Sequence, residues 1–159
     1  MTISSQEFRD VLRCFASGVT LVTSRSGERV HGMTVSAFTS VSADPPLVAV
    51  AIDQAHAINS LLAGVAACFA VNILAEDQAE LSERFAFTAD GERFRSGDWG
   101  AAATGAPVLR DALAWLDCSV AGRHRAGTHT IYLGAVEAQA VPRPGGRPLI
   151  YWDRDYRRL

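Results

Sequence analysis

The sequence predicts a mainly β protein, an antiparallel barrel that is closed or nearly closed and carries a few peripheral α-helices. Segments with strand character dominate the 159 residues, and the few helical segments do not alternate regularly with them. This order argues against a doubly wound parallel sheet, and the chain lacks the G-x-G-x-x-G loop that such sheets use for dinucleotides. No internal repeat or interdomain linker interrupts the chain, so we expect one domain over residues 1–159.

Composition and charge exclude several classes of function. Hydrophobic residues make up 48% and charged residues 20%, a balance that can build a core and that disordered chains lack. A net charge of −2 and a pI near 6.1 give the chain no electrostatic footprint for nucleic acid. All 15 basic residues are arginine, which excludes a P-loop lysine, a Schiff base and any other catalytic lysine.

The cysteines and the amino-terminal residues predict a cytoplasmic protein. Cys14, Cys68 and Cys118 are odd in number and form no C-x-x-C pair, so we interpret them as buried small hydrophobic side chains in a reducing compartment. Residues 1–10 lack the cationic start and apolar run of a signal peptide. The longest apolar stretch, residues 65–71, is far too short to span a bilayer, and we expect no membrane association.

The amino-terminal part of the sequence predicts one helix followed by three strands. Ser5 can cap the helix and Gly18 can end it. Its apolar face would consist of Phe8, Val11, Leu12 and Phe15. A strand, a Ser-Gly turn at residues 26–27 and a second, longer strand follow, and Asp44-Pro45-Pro46 ends that strand. Residues 47–52 form a continuous apolar run, typical of a strand covered on both faces.

The remainder of the sequence predicts two helices, a loop and several strands. Helices are expected at residues 56–62 and 76–85, the second with Leu81 and Phe85 four positions apart. Residues 88–105 are rich in Gly, Asp, Arg and Ser and lack periodicity, so we expect a loop. The further strands are residues 67–74, 114–120, 129–140 and 148–152, with turns at residues 126–127 and 144–146.

The most informative segment is GMTVSAFTSVSADPPL, residues 32–47. Alternate residues of a strand share a face, so one side would carry four hydroxyls and a ring while the other would be mostly apolar. The even positions are Thr34, Ser36, Phe38, Ser40 and Ser42. Alternation alone leaves two interpretations open, a half-exposed strand with a polar outer face or a row of neutral donors for a polar ligand.

This segment resembles a motif of the short-chain flavin reductases, the small reductase partners of two-component flavin-dependent monooxygenases. Four further motifs of that family are matched in the family's order, so that the resemblance covers nearly the whole chain. They are FAVNILAEDQAELSERFA at residues 69–86, GAPVL and ALAWL at residues 105–109 and 112–116, GTHTIYLGAV at residues 127–136, and PLIYWDRDYRRL at residues 148–159. The resemblance implies an antiparallel Greek-key split β-barrel that binds FMN or FAD and dimerises.

The resemblance also implies a flavin groove near the dimer interface, and it implies which residues form that groove. Hydroxyls and backbone amides of the motif strand would hold the flavin, at Thr34, Ser36, Ala37, Ser40, Val41 and Ser42. Further contacts or groove walls would be Asp53, Gln54, Asn72, Ile73 and Leu74. Residues close to the phosphates or the adenosine arm would be Gln78, Ser82, Arg84 and Phe85. Arg84 is the expected phosphate ligand, because the planar guanidinium suits phosphate oxygens.

Other positions in the motifs concern the nicotinamide and the walls of the pocket. His129 matches a histidine at the family's nicotinamide site, and Thr128 stands where the family has an aspartate that could orient the imidazole. Tyr151 and Tyr156 would lie near the nicotinamide or the barrel mouth. Asn72 interrupts an apolar strand, and since a buried amide needs partners, it either faces the ligand or is satisfied by a neighbouring loop.

The function implied is that of an NAD(P)H:flavin oxidoreductase that reduces FMN or FAD and supplies free reduced flavin to a partner monooxygenase. Hydride transfer between stacked rings requires positioning more than side-chain chemistry, which agrees with the lack of a convincing acid, base or nucleophile. No histidine pairs with a cysteine or carboxylate at a ligand spacing, so no metal site is expected. The alternatives are a non-catalytic flavin-binding carrier or sensor, and a split-barrel oxidase of a small organic substrate.

Overall fold

The computed structural model describes residues 2–159, and strands dominate it. The strands are β1 Ser17–Gly18, β2 Thr20–Ser26, β3 Arg29–Val35, β4 Phe38–Ala43, β5 Pro46–Asp53, β6 Cys68–Ile73, β7 Trp99–Ala101, β8 Pro107–Leu109, β9 Ala114–Ala126, β10 His129–Ala140, β11 Ile150–Trp152 and β12 Asp155–Arg157. The helices are α1 Ser5–Leu12, α2 Ile58–Leu62, α3 Ala79–Phe87 and α4 Asp90–Arg93. The prediction of a mainly β protein with a few helices is confirmed.

Seven strands form one antiparallel sheet in the order β3-β2-β6-β9-β10-β5-β4. β3 and β4 follow each other in the chain but lie at opposite ends of this order, so the sheet curves round without closing its hydrogen-bond ladder. A three-stranded sheet β1-β11-β12 and the pair β7-β8 accompany it. The architecture is that of a split barrel, as the resemblance implies, and not of a closed one.

Alternation along the central strands builds two adjoining cores. On β2, Val22 belongs to a core inside the curved sheet, together with Phe69 and Tyr132. Its neighbour Leu21 points to the opposite face, into a second core under α3 that includes Phe85. β2 and β6 are therefore covered on both faces and anchor the sheet.

The long strand expected after the turn at residues 26–27 is in fact two strands. β3 pairs with β2 and ends at Val35, while β4 begins at Phe38 and pairs with β5. Ser36 and Ala37 form a corner between them, and a bulge between Ser40 and Ser42 shifts the register again. The single face of hydroxyls that alternation predicts does not form, because strand parity is not maintained through a corner and a bulge.

The amino-terminal helix differs from the prediction at both ends. Ser4, not Ser5, is the N-cap, and it forms a capping box with Glu7 in which the Ser4 amide donates to Glu7 Oε2 at 2.8 Å. The helix ends at Leu12, well before Gly18. The expected apolar face is present but uncovered in the single chain, since each of its four side chains is at least half exposed.

Short elements account for most of the other differences. The predicted loop at residues 88–105 contains α4 and β7, and the three-residue strands β8 and β12 were not predicted. Three residues are too few to establish a period of two, so such strands leave no sequence signal. The turns at residues 26–27, 126–127 and 144–146 are present, with Gly27, Gly127 and Gly145 at positive φ.

β5 is buried on only one side. Val48, Val50 and Ile52 lie in the core, whereas the alternate residues are half-buried. The expectation of a strand covered on both faces is wrong within one chain. β10 has the same pattern, and the paired half-buried side chains of the two strands form what we call the outer face: Leu47, Ala49, Ala51, Ile131, Leu133 and Ala135.

The described part of the chain contains no helix with the length and apolar character needed to cross a membrane.

Gly134 is expected to be essential for packing between β10 and the core. A Cβ built there would lie 2.9 Å from the Cβ of Cys118 and 2.5 Å from Cζ of Phe69, and both residues are fully buried. Gly134→Ala should lower the free energy of unfolding by about 1–3 kcal/mol. Gly18→Ala, where nothing lies within 4 Å of the added carbon, is the control and should change it by less than about 0.5 kcal/mol. Urea unfolding measures both, and equal stabilities would contradict the close packing.

Candidate functional site

Two adjoining cavities open where the β3–β4 corner meets the carboxy-terminal hairpin of β11 and β12. The first, which we call the corner cavity, has a volume of about 350 Å³ and lies between that corner, α3 and the hairpin. The second, the α1 cavity, has a volume of about 410 Å³ and lies between α1 and the hairpin. Ser36, Tyr151 and Arg154 line both, so the two cavities form one continuous groove. Their combined size is that of a small-molecule site.

Neutral hydroxyls line the corner cavity and are held by a short hydrogen-bonded chain. Thr34 Oγ1 donates to the carbonyl of Ser82 at 2.6 Å, and Ser82 Oγ bonds to the Tyr156 hydroxyl at 2.8 Å. The side chain of Ser36 is exposed and has no protein partner among residues 2–159. Burial raises the pKa of Tyr156, so its hydroxyl remains a protonated donor across the physiological range. The cavity offers hydrogen bonds without charge from these groups.

Five of the predicted site residues meet in this groove. Thr34 and Ser36 come from the β3 end of the corner, Ala37 follows them, and Tyr151 and Tyr156 come from the hairpin. The two tyrosine rings pack edge to face with centroids 5.6 Å apart. Sequence reasoning therefore found two of the chain segments that form the groove, to which α1 and α3 also contribute.

Other predicted residues of the motif strand lie away from the two cavities. Ser40, Val41 and Ser42 follow the corner on β4, where Val41 is 51% exposed, and none of them lines either cavity. On α3 the residues that reach the corner cavity are Glu83, Ala86 and Phe87. Arg84 is not among them, so its role as a phosphate ligand stays a prediction.

Asn72 is fully buried and satisfied by the protein itself. Its Nδ2 donates to the carbonyl of Leu21 at 3.1 Å and to Thr23 Oγ1 at 3.2 Å, and its Oδ1 accepts from the amide of Leu109 at 2.7 Å. The sequence left two interpretations of the Asn72 side chain open, a ligand contact or a hydrogen bond to a neighbouring loop. The structure favours the second, because protein groups satisfy the side-chain amide.

Five neighbouring predictions also fall on residues in or beside the core. Gln78 Oε1 accepts from the amide of Ala75, and its Nε2 donates to the carbonyl of Asp111. Leu74, Ser82 and Phe85 are fully buried, and Ile73 is half-buried on β6. Ser82 acts on the groove only through its bonds to Thr34 and Tyr156, and Phe85 packs against Phe94 and Trp99.

Asp53, Gln54 and His129 form a separate group at the β9–β10 hairpin. Gln54 donates to the carbonyl of His129 at 3.0 Å and accepts from Arg125 at 2.9 Å, and Asp53 Oδ1 accepts from the amide of Ala55. The hydroxyl of Thr128 lies 2.9 Å from His129 Nδ1. Thr128 thus contacts the imidazole from the position where the family has an aspartate.

The sheet register relates His129 to the groove. The carbonyl of Ala37 accepts from the amide of Ala51 at 3.0 Å, and Ala51 pairs with Ile131, two residues from His129. His129 thus lies beside the outer face, two strands from the corner, and it lines neither cavity of the single chain.

Arg154 is the main groove residue that sequence reasoning missed. It lines both cavities and forms the tip of the β11–β12 hairpin with Asp153, and both residues have positive φ, 64° and 50°. Two-residue hairpin turns of this conformation favour glycine or asparagine, so an Asp-Arg pair there is unusual. This unusual pair is the feature of the sequence that could have drawn attention to Arg154. Within residues 2–159 no group of three or more His, Cys, Asp or Glu side chains could hold a metal ion.

Comparison with known proteins gives consistent matches over nearly the whole chain. Residues 12–159 match the family described as flavin reductase like domain. The reductase component of 4-hydroxyphenylacetate 3-monooxygenase from Thermus thermophilus is 39% identical over 97% of this chain and 96% of its own. An NADH:riboflavin 5'-phosphate oxidoreductase from Streptomyces pristinaespiralis is 39% identical over 97% of this chain and 88% of its own.

Solved structures of flavin reductases superpose on nearly the whole chain. The flavin reductase HpaC complexed with NADP+ superposes with a TM-score of 0.89 at 30% identity, covering 98% of both chains. The Streptomyces globisporus NADH:FAD oxidoreductase SgcE6, in complex with NAD and FAD fragments, superposes with a TM-score of 0.90 at 30% identity, covering 100% of this chain and 96% of that one.

The buried side-chain amide of Asn72 should contribute to the stability of the folded protein. Asn72→Ala leaves the amide of Leu109 and the carbonyl of Leu21 without this partner, and should lower the free energy of unfolding by about 2–4 kcal/mol. Gln139→Ala, which removes an exposed amide from a strand, is the matched control and should change it by less than about 0.5 kcal/mol. Thermal unfolding distinguishes the two. An Asn72→Ala protein as stable as the control would mean that Asn72 is not a structural amide.

Proposed function

Since the chain belongs to the flavin reductase-like family, we propose that it supplies free reduced flavin to a separate monooxygenase. It is an NAD(P)H-dependent flavin reductase, an oxidoreductase that uses FMN or FAD with NADH or NADPH. Four of the relatives are named as reductase components or subunits of monooxygenases or hydroxylases, which supports the proposed destination of the reduced flavin. The family match from residue 12 to residue 159 supports the further proposal of a single domain.

The observation that carries this function is the groove at the strand corner. A flavin presents a flat ring with polar edges, a hydroxylated chain and a phosphate. The corner cavity supplies apolar surface from Val19, Ala86 and Phe87 for the ring, and neutral hydroxyls from Thr34 and Ser36 for the edges. The residues present therefore fit a flavin.

The side chains of the groove act by positioning. A bound flavin would supply the redox chemistry, as the acceptor of a hydride from the nicotinamide. Ser36 and Tyr156 can hold polar edges, and apolar neighbours keep water from the rings. The strand corner and the hairpin would hold the flavin ring in place for this transfer.

No proton transfer by a side chain is needed in this scheme. Burial keeps the pKa of Tyr156 above its ordinary value, so it serves as a neutral donor and not as a base. The nearest carboxylates, Glu83 and Asp155, lie at the exposed rim of the corner cavity. The chemistry belongs to the two cofactors, and the protein contributes geometry.

The deciding experiment is a steady-state assay of NADH oxidation followed by absorbance. A reductase consumes NADH continuously only when free FMN or FAD is added, and its rate saturates with flavin. A flavin carrier or sensor would bind flavin without consuming NADH. An oxidase of an organic substrate would require that substrate instead. Either of these last two results would overturn the proposed supply of reduced flavin.

We also propose that His129 contributes to nicotinamide binding. Its Nδ1 is held by Thr128, and its backbone carbonyl is held by Gln54, so its ring direction is fixed at the end of β10. Fixing one ring nitrogen leaves the other available to a ligand.

His129→Ala should reduce kcat/KM for NADH about tenfold, equivalent to about 1.4 kcal/mol, and leave the KM for flavin nearly normal. His56→Ala is the matched control, since this exposed histidine precedes α2 and its imidazole has no hydrogen-bond partner within residues 2–159. Steady-state kinetics with NADH and FMN varied in turn measure both constants. Normal NADH kinetics with weakened flavin binding would move His129 from the nicotinamide site to the flavin groove.

We further propose a homodimer in which the outer face is the interface. The sequence of β5 is that of a strand covered on both sides, but one chain covers only one side. A second copy would cover the small and aliphatic side chains that remain, and this is the usual fate of an apolar sheet face. Because the outer face adjoins Ala37 through Ala51, the interface would help to form the flavin groove.

Leu133→Arg should halve the molar mass measured by light scattering, because it introduces an unpaired charge into the middle of the outer face. Gln139→Arg, at an exposed position of the same strand, should leave the mass of the wild type unchanged. The monomeric variant should also bind flavin more weakly if the interface completes the groove. A wild type that is monomeric at micromolar concentration and fully active would refute this dimer.

The proposed location is the cytoplasm, where NADH and free flavins occur. All three cysteines are free thiols, which is expected in a reducing compartment. Cys68 and Cys118 are buried as expected, and burial raises the pKa of Cys118 to about 12, so it stays a neutral thiol. Cys14 differs from the expectation in being exposed, because it follows the uncovered helix α1.

A further inference from the structure

We propose that His31 is a positioning residue for the flavin, and that in its neutral form it holds the end of α3 that walls the corner cavity. It lines neither cavity and acts through Asp90 and Arg93 of α4. We call these three residues the α4 cluster. The proposal rests on the proposed function in taking a flavin as the ligand of the corner cavity.

The α4 cluster ties α4 to β3, the strand at one end of the seven-stranded sheet. Asp90 Oδ1 accepts from Arg93 Nη1 at 2.7 Å and from His31 Nε2 at 3.2 Å. Arg93 Nη1 also donates to the carbonyl of Gly32 at 2.9 Å. The side chains of His31 and Arg93 are only 8% and 15% exposed, so water competes little for these bonds.

The bonds of Arg93 determine which nitrogen of His31 carries the hydrogen. Nη1 has two hydrogens, and the carbonyl of Gly32 and the carboxylate of Asp90 take both. The separation of 3.3 Å between Arg93 Nη1 and His31 Nε2 is therefore not a hydrogen bond, and Nε2 carries the hydrogen that Asp90 accepts. The other nitrogen, Nδ1, is buried and has no hydrogen-bond partner among residues 2–159.

This geometry requires a neutral imidazole. A proton on Nδ1 would be a buried donor without an acceptor in the described chain. The charged ring would also lie beside the guanidinium of Arg93. Protonation of His31 is therefore expected to break the α4 cluster.

The charged groups that face His31 come from three segments of the chain. Burial is the main cause that lowers the pKa of His31, and Arg93 and His56 lower it further, whereas Asp90 raises it. Arg29, two residues away on the same face of β3, directs its guanidinium to α2. The α4 cluster is thus intact at neutral pH and opens as the pH falls through the lowered pKa, below the usual value of about 6.5.

The α4 cluster reaches the corner cavity through the end of α3. Arg93 Nε donates at 2.9 Å to the carbonyl of Thr88, the C-cap of α3. The two residues before this cap, Ala86 and Phe87, line the corner cavity. Because Phe87 is 86% exposed, packing does not fix its position, and the backbone at the helix end must do so.

The rest of α3 is attached independently of the cluster. Phe85 packs so closely on β3 that a Cβ built on Gly32 would lie 2.6 Å from its Cε1, and Ser82 bonds to Thr34 and Tyr156. Loss of the α4 cluster should therefore loosen one wall of the cavity and leave the sheet and the helix in place.

The test measures the affinity for FMN by quenching of its fluorescence, without NADH, at about pH 7.5 and about pH 5.5. Wild type is compared with His31→Gln, whose amide can donate to Asp90 but takes up no proton. This comparison cancels the titration of the FMN phosphate, which occurs near about pH 6. Between the two pH values, the affinity of wild type should fall about fivefold more than that of His31→Gln.

The variants at the higher pH separate the bond to Asp90 from the volume of the ring. His31→Gln should bind FMN within about twofold of wild type, whereas His31→Leu, which fills the space without a donor, should bind about fivefold more weakly. Arg93→Gln should show the same loss. Its control is Arg95→Gln, at a position that is 71% exposed on the same segment, and its affinity should equal that of wild type.

Steady-state kinetics distinguish positioning from a merely structural role. Partial unfolding lowers the amount of active enzyme, and hence kcat, without changing the KM for FMN. A loosened wall raises the KM instead, so His31→Leu should raise the KM for FMN about fivefold and change kcat by less than about twofold. A lower kcat with an unchanged KM would overturn the positioning role.

Two other results would also overturn the proposal. One is an FMN affinity that depends on pH equally in wild type and His31→Gln. The other is an NMR titration in which the His31 ring, identified by its absence from His31→Gln, is protonated at neutral pH. His56→Gln makes the same change at an exposed neighbour and should keep the wild-type loss of affinity at low pH. If the chain bound FMN without oxidising NADH, the reductase function would fail, and these binding measurements would still decide the role of His31.

Discussion

At Ser36 and Ala37 the chain leaves one end of the seven-stranded sheet and joins the other. β3 takes its hydrogen bonds from β2, and β4 takes its bonds from β5. This exchange of partners keeps the barrel open, and it brings the exposed corner against the carboxy-terminal hairpin. The position of the corner in the sequence determines three features: the groove, the hydrogen bond between Ala37 and Ala51, and the adjoining outer face. A one-residue shift of the corner would reverse which side chains face the groove.

A second constraint holds β8 against the sheet. Thr23 donates to the carbonyl of Pro107 at 2.5 Å, and Asn72 joins Thr23 to the amide of Leu109. These buried bonds attach β8 to the face of the sheet that α3 also covers. A fully satisfied buried network of this kind gives a single arrangement, because each group would be left without a partner in any other. The polar residues of the core thus fix the backbone on which the groove is built.

The sequence predicted those parts of the protein that repeat over several residues. β2, β6 and β10 were found from alternation or continuous apolar runs, and two segments of the groove were found from the motifs around Thr34 and Tyr151. Contacts that depend on tertiary geometry were not found. Asn72 is a polar residue in an apolar strand, as a ligand contact would be. Its actual partners, Leu21 and Leu109, lie 51 and 37 residues away in the chain, so the sequence does not reveal them. Arg154 lines the groove because it lies in a two-residue turn. A turn this short has no periodic pattern by which the sequence could reveal it.

The weak attachment of α1 to the rest of the chain should affect how quickly ligands enter and leave the α1 cavity. Apart from chain connectivity, the polar contact between this helix segment and the rest of the described chain is the pair of Arg13 with Asp153. An exposed ion pair of this kind contributes about 0.2–1 kcal/mol, so thermal motion separates it often. One wall of the α1 cavity is therefore a movable one, whereas the corner is a rigid strand junction. This asymmetry means that the α1 side of the groove can open without disturbing the sheet that forms the corner.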